Sequence, residues 1–486
     1  MRSITRLHGR LHPQLTPLSH SAVKELVAPR EAFRCATTHV LGGCGAGADR
    51  PPRAPVPHVA AMAALLSPPP FKLNEAQKGC VADVEAGVAL SLTCGPPGTG
   101  KTTTIAAVAW SLATRARSLV PLVLICTQQN VAALNVLQAL RRIGFEEVKL
   151  VISEGYYHEW HEAEYDAALE PFMHVTGKNK KLPRVAGERL ITLLTFGLAC
   201  SPVLEEVIDA ARVGAVMVDE ASQAWSGLSL VLDRFFPNLR RLHLFGDDRQ
   251  LPPVLSPADK SPLALLCDRH VRSMYDEVRD AGAPLHSLLV QHRMPLRLAA
   301  FISHHVYQGR LSSAAGMDGR GDAVCWVDVS STQGYLPGAK SPQNGAEASV
   351  VCRLVAQIEG RAGLKAATCV ILTPFSAQRA LIEKMCEHAS AKQKGGRWDV
   401  KTVDSFQGRE ADIVILSLVR TDGKVGFLRD IRRANVMLSR SKSRLFIVGD
   451  RASWARSKSP LWTSCADHFP VGWRKGDGQE LSVLLR

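Results

Sequence analysis

The chain has 486 residues, a length that predicts two to four domains, each able to bury an apolar core. Hydrophobic residues make up 46% and charged residues 21%, which is typical of a soluble globular protein. The formal net charge of +14 favours a polyanionic partner such as nucleic acid, although a solvated basic face is the alternative. Much of the excess falls in residues 424–458, where ten Lys or Arg face only Asp430 and Asp450.

Two classes of protein are disfavoured by local patterns. The uncharged stretch 118–140 contains Pro121 and several amides, and it divides into a strand at residues 122–126 and a helix, so a membrane span is not predicted. The twelve cysteines form no C-x-x-C pair and no zinc-like spacing. Several, such as Cys94, Cys126 and Cys369, lie within or beside apolar runs, which predicts reduced core thiols of an intracellular protein without a structural metal.

Residues 1–70 differ from the rest of the chain. They hold eight Lys or Arg, three acidic residues and, from Pro51 to Pro70, seven prolines, which predicts a disordered N-terminal extension. Its Arg-rich start resembles an organellar transit peptide, whereas Glu25 and Glu31 argue against one, and Met62 is an alternative start of translation. Cytoplasm, nucleus and an organelle all stay open as locations.

The first strong motif follows an apolar run at residues 88–93, which predicts a buried strand, and precedes a predicted helix at residues 103–108. Between them, Gly95-Pro96-Pro97-Gly98-Thr99-Gly100-Lys101-Thr102 has the pattern G-x-x-x-x-G-K-[ST], in which glycines let backbone N–H groups converge on phosphate oxygens. Lys101 is predicted to reach the β- and γ-phosphates of a nucleotide, and Thr102 to help hold Mg²⁺. The flanking strand and helix disfavour a chance match in an ordinary loop.

A second half-site lies at the end of the apolar strand predicted at residues 215–218. Asp219 is predicted to hold Mg²⁺ through its water shell, and Glu220 to orient and deprotonate the attacking water. Alone, this acidic pair would more often mark a solvated strand end. Together with the Lys101 loop, it predicts hydrolysis of a nucleoside triphosphate and not binding alone.

Alternating strand and helix patterns divide the chain into two α/β domains with parallel sheets. The first is predicted at residues 71–283, with a small surface insert at 153–184 that begins acidic and aromatic and ends basic. The second is predicted at residues 284–486 and has no phosphate loop of its own. This arrangement suggests a two-domain motor with ATP in the cleft between the domains.

Six segments together carry a family resemblance. They are LNEAQ at 73–77, DEASQ at 219–223, FGDDRQLPP at 245–253, QHRMP at 291–295, VDSFQGRE at 403–410 and RRANVMLSRSK at 432–442. In this order they resemble the motifs of superfamily 1 helicases of the up-frameshift group, which acts in nonsense-mediated mRNA decay. The resemblance covers residues 73 to about 450 and implies two tandem RecA-like domains of the P-loop NTPase type.

The resemblance also implies which residues bind ATP. Asn74 and Gln77 belong to the adenine-reading segment, and the phosphate loop extends into the helix at Thr103. His292 stands where the family has a stacking tyrosine, and an imidazole stacks on adenine more weakly. Glu410 is implied to bind the ribose.

Three catalytic residues follow from the same resemblance. Gln250 is implied to contact the γ-phosphate or the attacking water. Arg293 and Arg440 resemble arginine fingers, which supply permanent positive charge to the transferring phosphoryl group. A surface salt bridge is the alternative for either arginine.

The resemblance also implies contacts to nucleic acid, made by a set of small polar side chains near predicted strand ends. Hydroxyl groups at these places can bond successive phosphates without reading sequence. The set is Thr127, Asn130, Thr195, Thr373 and Thr402. Each residue alone is more often a helix cap or a turn residue.

Departures from the family limit the functional hypothesis. Many relatives carry a β-barrel ahead of the first motif, for which residues 1–70 are too short, and Ser439 and Lys442 replace Thr and Arg in the last motif. The leading hypothesis is an ATP- and Mg²⁺-dependent helicase or translocase that moves 5′ to 3′ on single-stranded RNA or DNA. The alternative is an ATP-regulated nucleic-acid clamp that does not unwind. The implied partners, besides the strand, are RNA-processing or decay factors, and a monomer with no membrane association is expected.

Overall fold

The computed structural model describes residues 70–115, 122–163, 165–177, 182–185, 189–226, 232, 236–253, 272–317, 323–364, 366–389 and 398–485. Nearly all of the predicted N-terminal extension therefore lies outside the described residues. The chain forms two compact units. The first holds the described residues up to Gly95 together with Gly100–Asp248 and Pro252–Leu288, and the second holds Pro96–Thr99, Arg249–Leu251 and Leu289–Arg486.

The first unit is built on a sheet of eight strands. In chain order they are β1 Leu90–Cys94, β2 Leu122–Thr127, β3 Val148–Ser153, β4 Met173–Thr176, β5 Ile191–Thr195, β6 Val213–Val218, β7 Arg241–Gly246 and β8 Leu285–Ser287. Their order across the sheet is β4-β3-β5-β2-β6-β7-β1-β8, and every pairing is parallel. Because β8 pairs with β1, residues 285–287 still belong to the first sheet, beyond the predicted boundary at residue 283. The chain passes into the second unit at Leu289.

The helices of the first unit cover both faces of this sheet. They are α1 Glu75–Glu85, α2 Lys101–Arg115, α3 Asn130–Arg142, α4 Glu154–Ala163, α5 Phe196–Ala199, α6 Val203–Val207 and α7 Met274–Asp280. Successive side chains of a strand point to opposite faces, so Val123 and Ile125 pack with α1 to α3 in one apolar cluster. Leu122 and Leu124 pack with α5 to α7 in another. Buried on both faces, the strands are therefore mostly apolar, as in other parallel sheets.

Segment 153–184 is more than the surface insert that its mixed charge suggested. It supplies α4 and the edge strand β4, which pairs with β3 in parallel register from Leu150 opposite Met173. Tyr157 and Trp160 on α4 are buried in the apolar cluster of the first unit. Tyr157 and Trp160 are thus core residues, because an edge strand needs an apolar cover on its inner face, whereas Tyr165 is 47% exposed.

The second unit has a six-stranded sheet. Its strands are β11 Val324–Asp328, β14 Cys369–Thr373, β15 Trp398–Thr402, β16 Ala411–Ser417, β17 Ser441–Gly449 and β18 Val471–Arg474. Their order is β15-β14-β16-β17-β11-β18, again with all pairings parallel. Four short strands form two small ladders, β9 Val290–Gln291 with β10 Ser312–Ser313, and β12 Gly334–Tyr335 with β13 Pro342–Gln343.

The helices of the second unit are α8 Leu296–Val306, α9 Gly345–Gly360, α10 Ser376–Ala389, α11 Ile431–Leu438, α12 Arg451–Ala455 and α13 Pro460–His468. Helices α8, α11 and α13 pack on one face of the sheet, and α9 and α10 pack on the other. The parallel α/β architecture expected for both halves is confirmed. None of the helices in the described segments is long and apolar enough to cross a membrane.

A buried carboxyl group lies at the start of α9. Glu347 is inaccessible to solvent, and its Oε2 accepts hydrogen bonds from the Ser417 hydroxyl at 2.8 Å and from the Val419 N–H at 2.9 Å. Val419 has a φ of 69°, a left-handed conformation that a β-branched residue rarely adopts. The carboxyl therefore fixes a strained turn at the end of β16.

Burial raises the pKa of Glu347 to about 8, against the opposing effect of the Val419 and Ser417 hydrogen bonds. A carboxyl whose pKa is higher in the folded than in the unfolded protein stabilises the fold at low pH, and this contribution is lost as the pH rises toward the folded-state value. We expect the free energy of unfolding of Glu347→Gln to lack this pH dependence, because the amide does not titrate. In urea titrations from pH 5 to 8, the free energy of unfolding of wild type should fall relative to the variant, by at most about 1.4 kcal/mol per pH unit. A constant difference across this range would contradict the assigned pKa.

Candidate nucleotide site

The three adjacent strands β6, β7 and β1 end at one edge of the first sheet and place the predicted nucleotide residues there. Gly95 directly follows β1, and its N–H donates to the carbonyl of Gly246 at the end of β7 at 2.8 Å. Asp219 and Glu220 follow β6. Because all three strands are parallel, these loops share the carboxyl edge of the sheet, where α/β proteins bind their ligands.

Lys101, Asp219 and Glu220 form a buried ionic cluster. The Lys101 Nζ lies 2.5 Å from Glu220 Oε1 and 3.4 Å from Asp219 Oδ1. Burial by itself would lower the pKa of Lys101, but Asp219 and Glu220 outweigh it and raise that pKa, so the ammonium stays charged. Burial raises the pKa of Asp219, and Lys101 opposes this shift. One ammonium balances two carboxylates, which leaves the cluster with an excess negative charge suited to a hard divalent cation.

Glu220 has an unusual backbone conformation. Its φ is 53°, in the left-handed region, which is uncommon for residues other than glycine and is often found at functional sites. Its own N–H donates to Asp219 Oδ1 at 2.8 Å, and its carbonyl accepts from the Gln223 N–H at 2.7 Å. These two bonds hold the turn that brings the Glu220 side chain to Lys101.

The glycines of the phosphate loop fit the role that the sequence predicts. Gly98 and Gly100 have φ values of 76° and 82°, which a side chain would strain. A Cβ on Gly100 would lie 2.5 Å from Gln77 Nε2, and one on Gly95 would lie 3.2 Å from the Lys101 side chain. Helix α2 begins at Lys101, so the first N–H groups of the helix face the loop, as at other anion sites. Thr102 and Thr103 are the next residues of this helix and are partly exposed.

The adenine-reading segment caps α1. Asn74 Oδ1 accepts from the Gln77 N–H, and Gln77 Oε1 accepts from the Asn74 N–H, each at 3.0 Å. This reciprocal pair is a capping box, which fixes both side chains. The Gln77 amide nitrogen thereby lies beside Gly100, which places the segment next to the phosphate loop.

A set of three possible metal ligands also lies at this edge. Ligand atoms of Cys94, Asp247 and Asp248 lie within 4.8 Å of one another. Burial, followed by the charges of the two aspartates, raises the pKa of the Cys94 thiol to about 12. Since a metal binds the thiolate and not the thiol, Cys94 is a poor ligand. The carboxylate of Asp219 and the hydroxyl of Thr102 are the better match for Mg²⁺.

In the second unit, the segment QHRMP forms a turn ordered by Gln291. This side chain is fully buried, and its Oε1 accepts from the N–H groups of Arg293 and Met294, both at 2.7 Å. The His292 N–H donates to the Gly98 carbonyl at 2.8 Å, and a Cβ on Gly98 would lie 2.5 Å from the Arg293 Cβ. Gly98 belongs to the second unit, so Arg293 adjoins a residue of the phosphate loop. The His292 side chain is exposed and accessible for stacking.

Arg293 is held by an acidic partner. Its guanidinium donates to Glu410 Oε2 at 2.6 Å and to the Ser439 carbonyl at 3.2 Å. Lys442 lies 3.0 Å from the other oxygen of Glu410. Burial by itself would raise the pKa of Glu410, but Arg293 and Lys442 hold it below its usual value. The residue assigned to the ribose therefore also orients the predicted arginine finger.

Arg440 is buried, and each of its three guanidinium nitrogens donates a hydrogen bond. Its guanidinium donates to the Val436 and Arg409 carbonyls at 2.9 and 3.3 Å, and to Gln250 Oε1 at 3.3 Å. The bond to Gln250 brings two of the predicted catalytic residues together. Asn435, one turn earlier, donates to the Arg249 carbonyl at 2.8 Å and holds the segment that carries Gln250.

Two residues of this region were given no role by sequence reasoning. Asn435 supports the Gln250 segment, as described above. Gln407, in the turn before Glu410, is buried, and neither polar atom of its amide has a hydrogen-bond partner among the described residues. A buried, unpaired amide is costly, which makes Gln407 a candidate to bond a ligand or a water molecule. Its place within VDSFQGRE was a signal that the sequence analysis did not use.

The five predicted nucleic-acid residues follow a common pattern. Thr127, Thr195, Thr373 and Thr402 are the last residues of β2, β5, β14 and β15, and Asn130 is the first residue of α3. The Thr127 and Thr402 hydroxyls donate to Gln129 O and Ser405 Oγ at 2.9 and 3.0 Å, so they stabilise turns. Their assignment to the phosphate backbone stays a prediction.

Comparison with known proteins agrees with these motifs. Two family models, each described as an AAA domain, match residues 72–157 and 270–452. The chain is 30% identical to regulator of nonsense transcripts 1 of Dictyostelium discoideum, over 82% of this chain and 32% of that protein. It is 28% identical to the ATP-dependent helicase NAM7 of Saccharomyces cerevisiae, over 82% and 43%. It is 26% identical to the DNA polymerase alpha-associated DNA helicase A of Schizosaccharomyces pombe, over 80% and 66%.

The chain spans less than half the length of the first two of these relatives. Among solved structures, the Arterivirus nonstructural protein 10 helicase matches 77% of this chain and 61% of its own at 17% identity, with a TM-score of 0.36, too weak to bear on the fold. The sequence matches agree with the phosphate loop, the acidic pair and the other motifs. Over 82% of its length the chain is similar to proteins of the up-frameshift type, among them an ATP-dependent helicase.

Proposed function

We propose that this protein is an ATP-driven helicase or translocase that moves 5′ to 3′ on single-stranded RNA or DNA. The observation that carries the proposal is the buried cluster of Lys101, Asp219 and Glu220 at the carboxyl edge of a parallel sheet. ATP binding and hydrolysis need a cation for the phosphates, a carboxylate for Mg²⁺ and a base for water. The cluster supplies one of each.

The contacts within the cluster suggest how its residues act. Without nucleotide, the Lys101 ammonium lies between the carboxylates of Glu220 and Asp219 and pairs with both. When phosphates bind at the loop, they compete for the ammonium, so Lys101 turns toward them and the carboxylates are released. Asp219 and Thr102 would hold Mg²⁺, which would supply positive charge to the bound phosphates. Glu220, free of its ion pair, accepts the proton of the attacking water.

The arginines supply the remaining charge. Arg293 and Arg440 stabilise the negative charge that develops on the transferred phosphoryl group, and Gln250, which accepts from Arg440, orients the water. Glu410 positions Arg293 and contacts the ribose. The net charge of +14 supports a polyanionic partner.

Single-stranded nucleic acid should stimulate ATP hydrolysis. We expect purified protein to hydrolyse ATP slowly, and faster with saturating poly(U) or oligo(dT), since strand binding and nucleotide turnover are coupled in a motor. Phosphate release measured with and without polynucleotide checks this, and Lys101→Ala controls for a contaminating ATPase. An unchanged rate with both RNA and DNA would reject the motor. Displacement of a duplex with a 5′ but not a 3′ overhang would confirm the direction, and stimulated hydrolysis without displacement would indicate a clamp.

A further inference from the structure

An aromatic ring lies exposed in the second unit. Phe427 belongs to the short 3₁₀ turn Gly426–Arg429 between β16 and α11, and 43% of its surface is accessible. It is the only exposed phenylalanine in the part of the chain that the structure describes. A single exposed apolar side chain is common on protein surfaces, so its neighbours decide whether the ring marks a binding site.

Two neighbouring side chains, Phe375 and Arg433, fix the orientation of the Phe427 ring. Phe375, which is buried, contacts Phe427 edge to face, with ring centroids 5.3 Å apart and an interplanar angle of 69°. The Arg433 guanidinium lies 5.1 Å from the centroid of Phe427, and Asp404 anchors it at 3.1 Å. A ring fixed in this way loses little conformational entropy when a flat ligand stacks on it.

Positive charge surrounds the ring. The Arg420 guanidinium lies 5.8 Å from the centroid of Phe375, and its Nη2 lies 3.4 Å from the position of a Cβ on Gly426. Its Nε is buried and has no hydrogen-bond partner among the described residues. Lys424 and Arg429 are exposed on either side of Phe427 in the chain.

The neighbouring acids leave an excess of positive charge. Asp404 pairs with Arg433, Asp422 with Arg420 at 3.3 Å, and Asp430 with Arg432 at 3.2 Å. Lys424 and Arg429 have no such acidic partner among the described residues, so the surface carries two cations beyond its ion pairs. Aromatic rings interleaved with cations are the usual means by which proteins hold single strands without reading their sequence.

The position in the fold agrees with a ligand site. Phe375 lies two residues beyond the end of β14, and Arg420 lies three residues beyond the end of β16. These strands are neighbours, and Thr402 ends β15 on the other side of β14. The surface therefore lies at the carboxyl edge of the second sheet, the edge at which parallel α/β sheets bind ligands.

We propose that Phe427 is a stacking platform for one base of the bound single strand, with Arg420, Lys424 and Arg429 facing the adjoining phosphates. The proposal rests on the proposed function and deepens it, because it names a residue that holds the strand. Stacking uses the face of any base, so Phe427 favours neither RNA nor DNA by itself.

The first test measures the affinity for a fluorescent oligo(U) or oligo(dT) by anisotropy at fixed salt. Phe427→Ala should weaken binding roughly 5- to 100-fold, the range for loss of one base–aromatic stack. Phe427→Trp should bind within about threefold of wild type, since a larger ring still stacks. Tyr165→Ala is the control, because Tyr165 is an exposed aromatic of the first unit outside this surface, and it should bind as wild type does.

The second test separates stacking from general loss of affinity. An oligonucleotide series with one abasic site at each position should contain a position that weakens wild-type binding but has no further effect on Phe427→Ala. The slope of log affinity against log salt should be unchanged in Phe427→Ala and shallower in Arg420→Gln, since only the latter loses a phosphate contact.

Two outcomes would overturn the proposal. One is wild-type affinity in Phe427→Ala, which would assign the surface to a protein contact. The other is a loss of affinity that persists at every abasic position, which would make the ring a structural element. If wild type itself binds no strand, the proposed function fails, and that result is distinct from a failure of the stacking proposal.

Discussion

Glu220→Gln should reduce ATP turnover by roughly 10²- to 10⁴-fold, the usual contribution of a general base, while ATP still binds. The amide keeps the shape of the side chain but cannot take a proton. It also removes one of the two carboxylates that face Lys101, so the buried cluster loses its excess negative charge and the fold should not be destabilised. Single-turnover hydrolysis, nucleotide affinity by fluorescence and thermal unfolding measure the three parts of this result.

Lys101→Ala is the informative contrast, because it should lower both ATP binding and hydrolysis. It removes a charge-assisted contact to the β- and γ-phosphates. It also removes the ammonium that pairs with Asp219 and Glu220, which should raise the pKa of Asp219 further. A raised folded-state pKa stabilises the fold only at low pH, so this variant should lose stability relative to wild type as the pH rises above about 4. Equal loss of ATP affinity in both variants would show that Glu220 supports the structure of the site and not its chemistry.

Arg293→Ala should lower turnover by roughly 10³-fold with little change in ATP affinity, at the lower end of the range for an arginine finger because two arginines share the role. Substitution of Arg293 should affect turnover without leaving Glu410 unpaired. Lys442 stays 3.0 Å from Glu410 when Arg293 is removed, so Glu410 keeps a cationic partner. Lysine should not rescue the loss, since it lacks the planar, bidentate guanidinium.

Arg440→Ala should be as severe in turnover but should also destabilise the second unit. Its guanidinium donates to the carbonyls of Val436 and Arg409, and these buried acceptors would lose their donor. Stopped-flow hydrolysis and thermal unfolding of both variants separate the two effects, with Arg310→Ala as a control at an exposed arginine of the same unit. Wild-type turnover in Arg293→Ala would reject its role as a finger.

The local motifs of the nucleotide site could be predicted from the sequence because each depends on a short stretch of chain. The phosphate loop needs a strand before it, glycines within it and a helix after it, and the structure has β1, positive φ at Gly98 and Gly100, and α2 at these places. The parallel α/β class could also be predicted, since strands buried on both faces read as continuous apolar runs. Segment 153–184 was predicted to be a surface insert because of its charged residues, and that pattern gave no sign that Trp160 is buried.

Only the tertiary structure decided which of these pieces meet. Lys101 and Glu220 are 119 residues apart in sequence, and they form an ion pair because β6 and β1 lie on either side of β7. Phe375 and Phe427 form an edge-to-face contact because β14 lies beside β16. Burial likewise decided that Glu347 has a raised pKa and that Arg440 bonds backbone carbonyls. The sequence pattern specifies local conformation, whereas strand order and burial arise from packing over the whole unit. Strand order and burial then set the distances and the dielectric environment that govern the chemistry of the site.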